Sequence, residues 1–460
     1  MDLKNSKINK ICHFANYPYL SAREATHCKG LLKQLKKILI GFIMKKQQIN
    51  YGCDAASPSL LSIDEALDTL ISAVKVTDST QLVPLDDALD CVLATNICSD
   101  ISVPGFDNSA MDGYAIHLQE EQIDALGGFA FEITDRITAG STGNTLLPGC
   151  AARIFTGAPI PKGANTVVMQ EECELIDGDT KIEIYRPIAL NENIRPLGND
   201  IQLGDVILPQ GKQLKPQDIA LAASVGVGKL KVFKQIKVGV FFTGDELVEP
   251  GNTLKQGQIF NSNRYSLVAM LNKLGCKVIN LGNIKDTLDA TCSALERLKS
   301  ECDLIVTTGG VSVGEEDHVK PAVEKLGKLD LWRIKVKPGK PLAFGHIDEA
   351  AFIGLPGNPV SAMVTFFLFV QPFIRKMQGI SLYQNQSMQV QCDFDWHRAR
   401  PRREFVRVRL NHSTVPASAE LYPKQGSDVL SSMVWADGLI EVPEDSTFSQ
   451  GKILNYYSLT

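Results

Sequence analysis

Three short segments between residues 304 and 362 carry residue types suited to handling an anion. The first is Thr307-Thr308-Gly309-Gly310-Val311-Ser312-Val313-Gly314-Glu315-Glu316-Asp317-His318, directly after the apolar run Leu304-Ile305-Val306. The run reads as a buried central strand. A buried strand that opens into glycines, hydroxyls and then acids describes the ligand-binding edge of a parallel α/β sheet. Gly309, Gly310 and Gly314 let backbone N–H groups approach an anion, Ser312 adds a hydroxyl, and Asp317 can hold a metal or a substrate hydroxyl. The second segment, Lys335-Val336-Lys337-Pro338-Gly339-Lys340-Pro341, turns at Pro-Gly and brings Lys337 and Lys340 to one end of a hairpin-like structure. The third is Ile353-Gly354-Leu355-Pro356-Gly357-Asn358-Pro359-Val360-Ser361-Ala362. Here Asn358 is placed to cap a helix and Pro359 to occupy its first position, so the amides of Val360, Ser361 and Ala362 would face a phosphate. Singly, each segment has an ordinary reading: a tight turn, a solvated strand edge, a capped core helix. Three on one sheet point to an anionic ligand.

The elements that must position these loops follow a regular order. Between residues 235 and 378 apolar strands at 238–242, 277–281 and 303–307 alternate with helical patterns at 262–274, 287–298 and 318–326. That alternation predicts a doubly wound, mostly parallel α/β domain. Its three strands run out near Asp245, Asp286 and Asp317, at the carboxyl edge where ligands bind. Lysines and carboxylates on one edge would work against each other over a bare phosphate. A hard cation resolves the conflict, because Mg²⁺ takes a few carboxylates and bridges to phosphate oxygens. Asp245, Asp286 and Asp317 are therefore the candidate metal ligands, and a pyrophosphate-type substrate with a second small oxyanion is the candidate ligand. Asp286 has a second reading as the cap of the helix that follows it, and Asp245 as a turn cap.

The remainder of the chain is ordinary in composition. Its 460 residues, 44% hydrophobic and 22% charged, suit a multidomain enzyme with ample core. The formal net charge of −5 argues against a general nucleic-acid binder. Eleven cysteines without a C-x-x-C pair fit reduced thiols in a cytoplasmic protein rather than a zinc site. Residues 1–58 stand apart: polar and aperiodic to residue 30, then a basic amphipathic patch at 31–44. That patch is too short and lysine-rich to span a bilayer, and a disordered or spurious extension is expected, with Met44 as a start. Ser62 should cap a helix at 63–73, and 85–92 reads as another helical stretch. Residues 99–186 change to short strands with Gly, Pro and Asp turns, a β-rich inserted module. It divides a mixed α+β domain into pieces at 59–98 and 187–234. A polar linker at 379–387 leads to a C-terminal β-barrel-like domain at 387–460, with strands at 405–410 and 438–442. Arg402, Arg403 and Arg407 around Phe405, with the turn Gln425-Gly426-Ser427, read by themselves as a charged barrel rim.

The three loops resemble the substrate-binding loops of the molybdopterin molybdenumtransferase family, bacterial MoeA and the E domain of gephyrin. Pro104-Gly105-Phe106-Asp107-Asn108-Ser109-Ala110-Met111-Asp112-Gly113-Tyr114-Ala115 resembles that family's most recognisable signature. Thr156-Gly157-Ala158-Pro159 and Thr243-Gly244-Asp245-Glu246-Leu247 resemble two more, and similarity runs from about Leu61 to the C-terminus. The resemblance implies insertion of molybdate into adenylylated molybdopterin with release of AMP. It implies catalytic roles for Asp112, Thr156, Asp245, Asp317, Lys337 and Lys340. Substrate contacts would come from Gly309, Gly310, Ser312, Gly314, Arg333, Pro356, Gly357, Asn358, Pro359 and Ser361. Arg402 and Ser427 best match an Arg and a Ser of the molybdate pocket. It also implies a homodimer in which Asp112 and Thr156 reach the pocket of the other subunit, and a possible exchange partner in a molybdopterin adenylyltransferase. Two departures stand out: Asn199 in Arg195-Pro196-Leu197-Gly198-Asn199-Asp200 occupies the usual place of a Glu, and Arg333 that of a lysine. An adenylyltransferase, which shares the Gly-Gly-Val-Ser loop, and a non-catalytic scaffold like gephyrin are the competing readings.

Overall fold

A buried six-stranded sheet organises the ligand-bearing half of the chain. In the computed structural model, which describes residues 60–123, 125, 128–310, 317–413 and 415–459, the relevant strands are β1 (Lys237–Phe242), β2 (Lys277–Asn283), β3 (Leu304–Thr308), β4 (Lys328–Arg333), β5 (Val336–Lys337), β6 (Pro341–Ile347) and β7 (Ala350–Leu355). Expectations placed on residues 1–58, on Ser312 and on Gly314 lie outside the described residues. The sheet runs β2-β1-β3-β7-β6-β4. Its first four strands are parallel, and β6 and β4 close it antiparallel.

Every side chain of β3 is buried, because both faces of the sheet are covered. Alternate residues feed two cores. Val238, Val240, Leu304, Val306 and Ile353 pack with Phe366, Phe369 and Phe373 on one face. Phe241, Ile305 and Phe352 pack with Leu295, Leu298 and Val323 on the other. The covering helices are α1 (Ser262–Lys273), α2 (Leu288–Glu301), α3 (Val319–Leu326) and α4 (Pro359–Met377). Helix α4 is long and apolar enough to cross a bilayer, but it lies mostly buried within this core. A one-residue widening at Phe366–Val370 takes the π form.

The helix Ile63–Ser72 forms as its pattern predicts. Ser62 caps it reciprocally with Glu65: the Ser62 amide donates to Glu65 Oε2 at 2.9 Å and the Glu65 amide donates to Ser62 Oγ at 3.2 Å. The helical stretch expected at 85–92 is not there beyond one tight turn, Leu85–Asp87. Asp90 takes a left-handed backbone (φ 62°), and Val92 and Leu93 bridge to Gln213 and Val232, so sheet contacts override the local pattern. Thr80–Pro84 pairs antiparallel with Lys229–Phe233 across the intervening module, whose own six strands lie between Gly113 and Ile184.

Beyond Met377, β8 (Arg403–Asn411) joins four further strands, Met388–Cys392, Ser418–Leu421, Gly438–Val442 and Ile453–Ser458, in a closed five-stranded barrel. Strand β5 then adds to its rim, with Val336 opposite Arg403 and Lys337 opposite Glu404 in parallel register. The lysine turn expected as a hairpin of the α/β sheet is therefore a backbone joint between that sheet and the barrel.

Candidate functional site

That joint creates a cleft. The carboxyl ends of β3 and β7, the turn after β5 and the barrel loop at 425–427 enclose about 670 Å³, a volume suited to a small organic ligand. Gly309, Gly310, Lys337, Lys340, Pro356, Gly357, Asn358, Ser361, Arg402 and Ser427 all line it, so most of the residues singled out by sequence are brought together. Arg400, which sequence reading passed over, lines it as well. Among the described residues the lining holds these four cations and no acid.

Two glycines set the approach of the loops. Gly339 has φ 107°, and a Cβ there would collide with the hydroxyl of Thr365 on α4. The lysine turn can lie on the helix only because that atom is missing. Gly310 has φ 65°, and a Cβ would press on Val319 while lying 3.2 Å from Asp317 Oδ1.

The start of α4 departs from expectation. Asn358 precedes the helix without capping it through its side chain. Its Nδ2 instead donates to Ser427 Oγ at 3.2 Å. The Val360 amide donates to the Ser427 carbonyl at 3.0 Å, and the Ala362 amide to the Asn358 carbonyl at 2.9 Å. Of the three amides expected to face a ligand, two are already used, one to hold the barrel loop. Asn263 of α1 secures the other side, donating from Nδ2 to the Gly357 carbonyl at 2.7 Å and to Thr308 Oγ1 at 3.3 Å.

The arginines around Phe405 do not form a common charged rim. Arg407 is fully buried, and burial pushes its guanidinium down to about 10. It donates to Ser432 Oγ and to the Gly426 carbonyl, each at 3.0 Å, while Gln425 closes a pair of hydrogen bonds with its backbone. Arg407 thus props the loop that presents Ser427. Arg403 is held by Glu441 at 3.0 Å and Glu444 at 3.3 Å. Only Arg402 of the three lines the cleft. The cause is that β8 is covered on both faces, with Val406 and Val408 in the barrel core and Phe405 in the main core.

Lys337 is not a bare cation. Its Nζ lies 2.9 Å from Glu404 Oε2, and Arg400 Nε lies 3.1 Å from the other oxygen of the same carboxylate.

Two of the three acids at the sheet edge, Asp286 and Asp317, are engaged by neighbouring groups. Asp286 accepts from Thr243 Oγ1 at 2.7 Å, and the cap of α2 is Thr287, whose hydroxyl accepts from Ala290. The capping role weighed for Asp286 therefore falls to its neighbour. Asp317 Oδ1 accepts from the Val319 amide at 3.3 Å, and Asp245 is exposed. No group of three or more metal-ligating side chains occurs among the described residues. Asp245 and Asp286, at the ends of neighbouring strands, offer oxygen alone, which suits a hard cation that completes its shell from phosphate and water.

Asp112 and Thr156 lie on the inserted module and do not line the cleft of their own chain; nor do Arg333, Pro359, Asp245, Asp286 or Asp317. Asp112 Oδ1 accepts from both the amide and the hydroxyl of Thr156, each at 2.8 Å, and these bonds hold its carboxyl below the usual range. Exposed Phe106 and Met111 sit beside it in sequence.

Comparison with known proteins agrees with this architecture. Residues 61–226 match the MoeA N-terminal region (domain I and II), residues 239–376 the probable molybdopterin binding domain, and residues 389–459 the MoeA C-terminal region (domain IV). A molybdopterin molybdenumtransferase of Haemophilus influenzae is 43% identical over 323 residues, 70% of this chain and 78% of that protein. Another, from Nostoc sp., is 36% identical over 330 residues, 70% of this chain and 75% of its own length. The crystal structure of the molybdopterin biosynthesis MoeA protein from Pyrococcus horikoshii OT3 superposes with a TM-score of 0.76 at 31% identity, covering 87% of this chain and all of that one.

Proposed function

The chain belongs to the MoeA family, and we propose that it is a molybdopterin molybdenumtransferase that inserts molybdate into adenylylated molybdopterin with release of AMP. That is the last step of molybdenum cofactor biosynthesis. The observation that carries the reading is the charge of the cleft, four cations with no acid in the described lining. A phosphoanhydride and a tetrahedral oxyanion held side by side need that concentration of positive charge. Gly309, Gly310 and Gly357 give the phosphates access to backbone, and Arg402 and Ser427 face them from the barrel as oxyanion ligands. As the anhydride bond breaks, charge develops on the departing phosphate, and Lys337 and Lys340 stabilise it. Asp245, Asp286 and Asp317, sheet-edge carboxylates outside the described cleft lining, would hold Mg²⁺, which would supply Lewis-acid polarisation of phosphate oxygens.

The test is direct. With adenylylated molybdopterin, molybdate and Mg²⁺, the protein is expected to release AMP and yield molybdenum-loaded cofactor, and EDTA should stop the release. With ATP and free molybdopterin it should not make the adenylylated pterin. Formation of that intermediate would favour an adenylyltransferase, the enzyme class that we expect to hand over the substrate. Pterin binding without AMP release would favour a scaffold.

The working unit in this reading is a cytoplasmic homodimer in which Asp112 and Thr156 of one copy complete the cleft of the other. Support comes from the exposed, pre-organised Asp112 carboxylate, preceded in sequence by exposed apolar Phe106 and Met111, and from the free state of all described cysteines. Mixing Asp112→Ala and Lys337→Ala subunits should therefore restore activity above either variant alone, since each heterodimer holds one site without lesions. No recovery with heterodimers formed would locate the whole site in one chain.

A further inference from the structure

Glu404 stands out because it touches two cleft cations without lining the cleft. Its side chain is 4% exposed, yet Lys337 Nζ and Arg400 Nε lie 2.9 and 3.1 Å from its two oxygens. The carboxylate is fixed in turn. Glu404 sits on β8 within a closed barrel and pairs with Val442 on one side and Lys337 on the other. Arg407, three residues along the same strand, is buried and feels the same charge.

A carboxylate removed from water is costly unless cations face it; Lys337 donates a hydrogen bond to Oε2, and Arg400 faces Oε1 as a charge contact without a hydrogen bond. The converse matters more for chemistry. A lysine on a turn has a long, freely rotating side chain and loses much of that freedom when it is held. Glu404 imposes the loss before any ligand arrives. It also cancels one positive charge's worth of attraction in a cleft with four cations, so that an incoming anion meets a partly balanced field.

We infer that Glu404 is a positioning residue: the buried carboxylate holds Lys337 and Arg400 in register with the substrate and moderates the pull of the cleft on anions. It touches neither oxyanion nor phosphate. Its effect is to convert binding energy into turnover, because an over-attractive cleft would grip substrate and product without favouring the transition state. This rests on the proposed reading of the cleft as the site of anhydride cleavage and oxyanion capture.

The test pairs Glu404→Gln with Glu404→Asp. Gln keeps the shape but removes the charge and one of the two oxygens that face Lys337 and Arg400. In the Gln variant, molybdate measured by calorimetry is expected to bind at least threefold more tightly than in the wild type, while kcat for AMP release falls at least tenfold. Asp keeps the charge on an arm one methylene shorter, and it should recover part of the lost kcat with affinity near wild type. A purely structural role would lower affinity and kcat together, in step with Tm, and would make Asp no better than Gln. That outcome, or wild-type affinity and kcat in the Gln variant, overturns the inference. If the wild-type protein releases no AMP, the functional reading fails by itself. The role of Glu404 is then decided by calorimetry with molybdate or sulfate, where the Gln variant must still bind more tightly than both the wild type and the Asp variant.

Discussion

Lys337→Ala is expected to cut AMP release at least tenfold, about 1.4 kcal/mol of barrier or more, and to lower thermal stability at the same time. The rate falls because the cleft loses a cation placed against developing phosphate charge. Stability falls because Glu404, almost wholly buried, is left with Arg400 alone. Stripping one partner from a buried carboxylate costs roughly 1–3 kcal/mol when a second cation remains and the lost partner is itself partly solvated. Lys340→Ala supplies the contrast. Lys340 is exposed, lines the same cleft and forms no ion pair among the described residues. Its loss should slow AMP release with Tm unchanged. Initial rates and scanning calorimetry on the two variants decide the matter. If Lys337→Ala turns over normally, the lysine turn is not part of the reaction site; if its Tm is unaltered, Glu404 does not depend on it.

Gly339→Ala should be more damaging to the site than its single methyl suggests, with AMP release falling a hundredfold or more and stability falling by roughly 2–4 kcal/mol. Two effects add. A φ of 107° lies where a Cβ is strained, worth roughly 1–3 kcal/mol. The new methyl would also meet the hydroxyl of Thr365, which is fully buried in α4. The turn must lift away from the helix, carrying Lys337 and Lys340 out of place, and a displacement of an ångström is enough to lose such a rate factor. Adding Thr365→Ala removes the collision but leaves the backbone strain, so the double variant should recover part of the stability. A Gly339→Ala protein with wild-type Tm and rate would mean that the turn does not rest on α4 as described.

The features legible in the sequence share one cause: each is decided by residues close together in the chain. The apolar run Leu304-Ile305-Val306 reads as a central strand because both faces of that strand are buried, leaving no polar alternation to hide it. Ser62 declares a helix start because a cap and the periodic helix it opens are adjacent in the chain. The glycine loop, the lysine turn and the Pro356–Ser361 segment were each recognisable as anion-adapted, and four parallel strands with their crossovers bring two of them to one edge.

What the sequence does not contain is the partner of each group once that partner lies far along the chain. Lys337 and Glu404 are 67 residues apart and meet only because β5 leaves the α/β sheet to pair with the barrel rim. No local pattern marks Glu404, an acid amid arginines that looks like part of a solvated edge. The same joint turns Asn358 from a helix cap into a tie to Ser427 and spends the Val360 amide on the barrel loop. Arg402, Arg403 and Arg407 look alike as letters. Burial on both faces of β8 separates them into a cleft residue, an ion-paired brace and a buried prop. Local sequence therefore determined which loops can hold an anion. Only tertiary structure decided which of their charges and amides remain available to it, because a buried polar group must find a partner wherever the fold puts one.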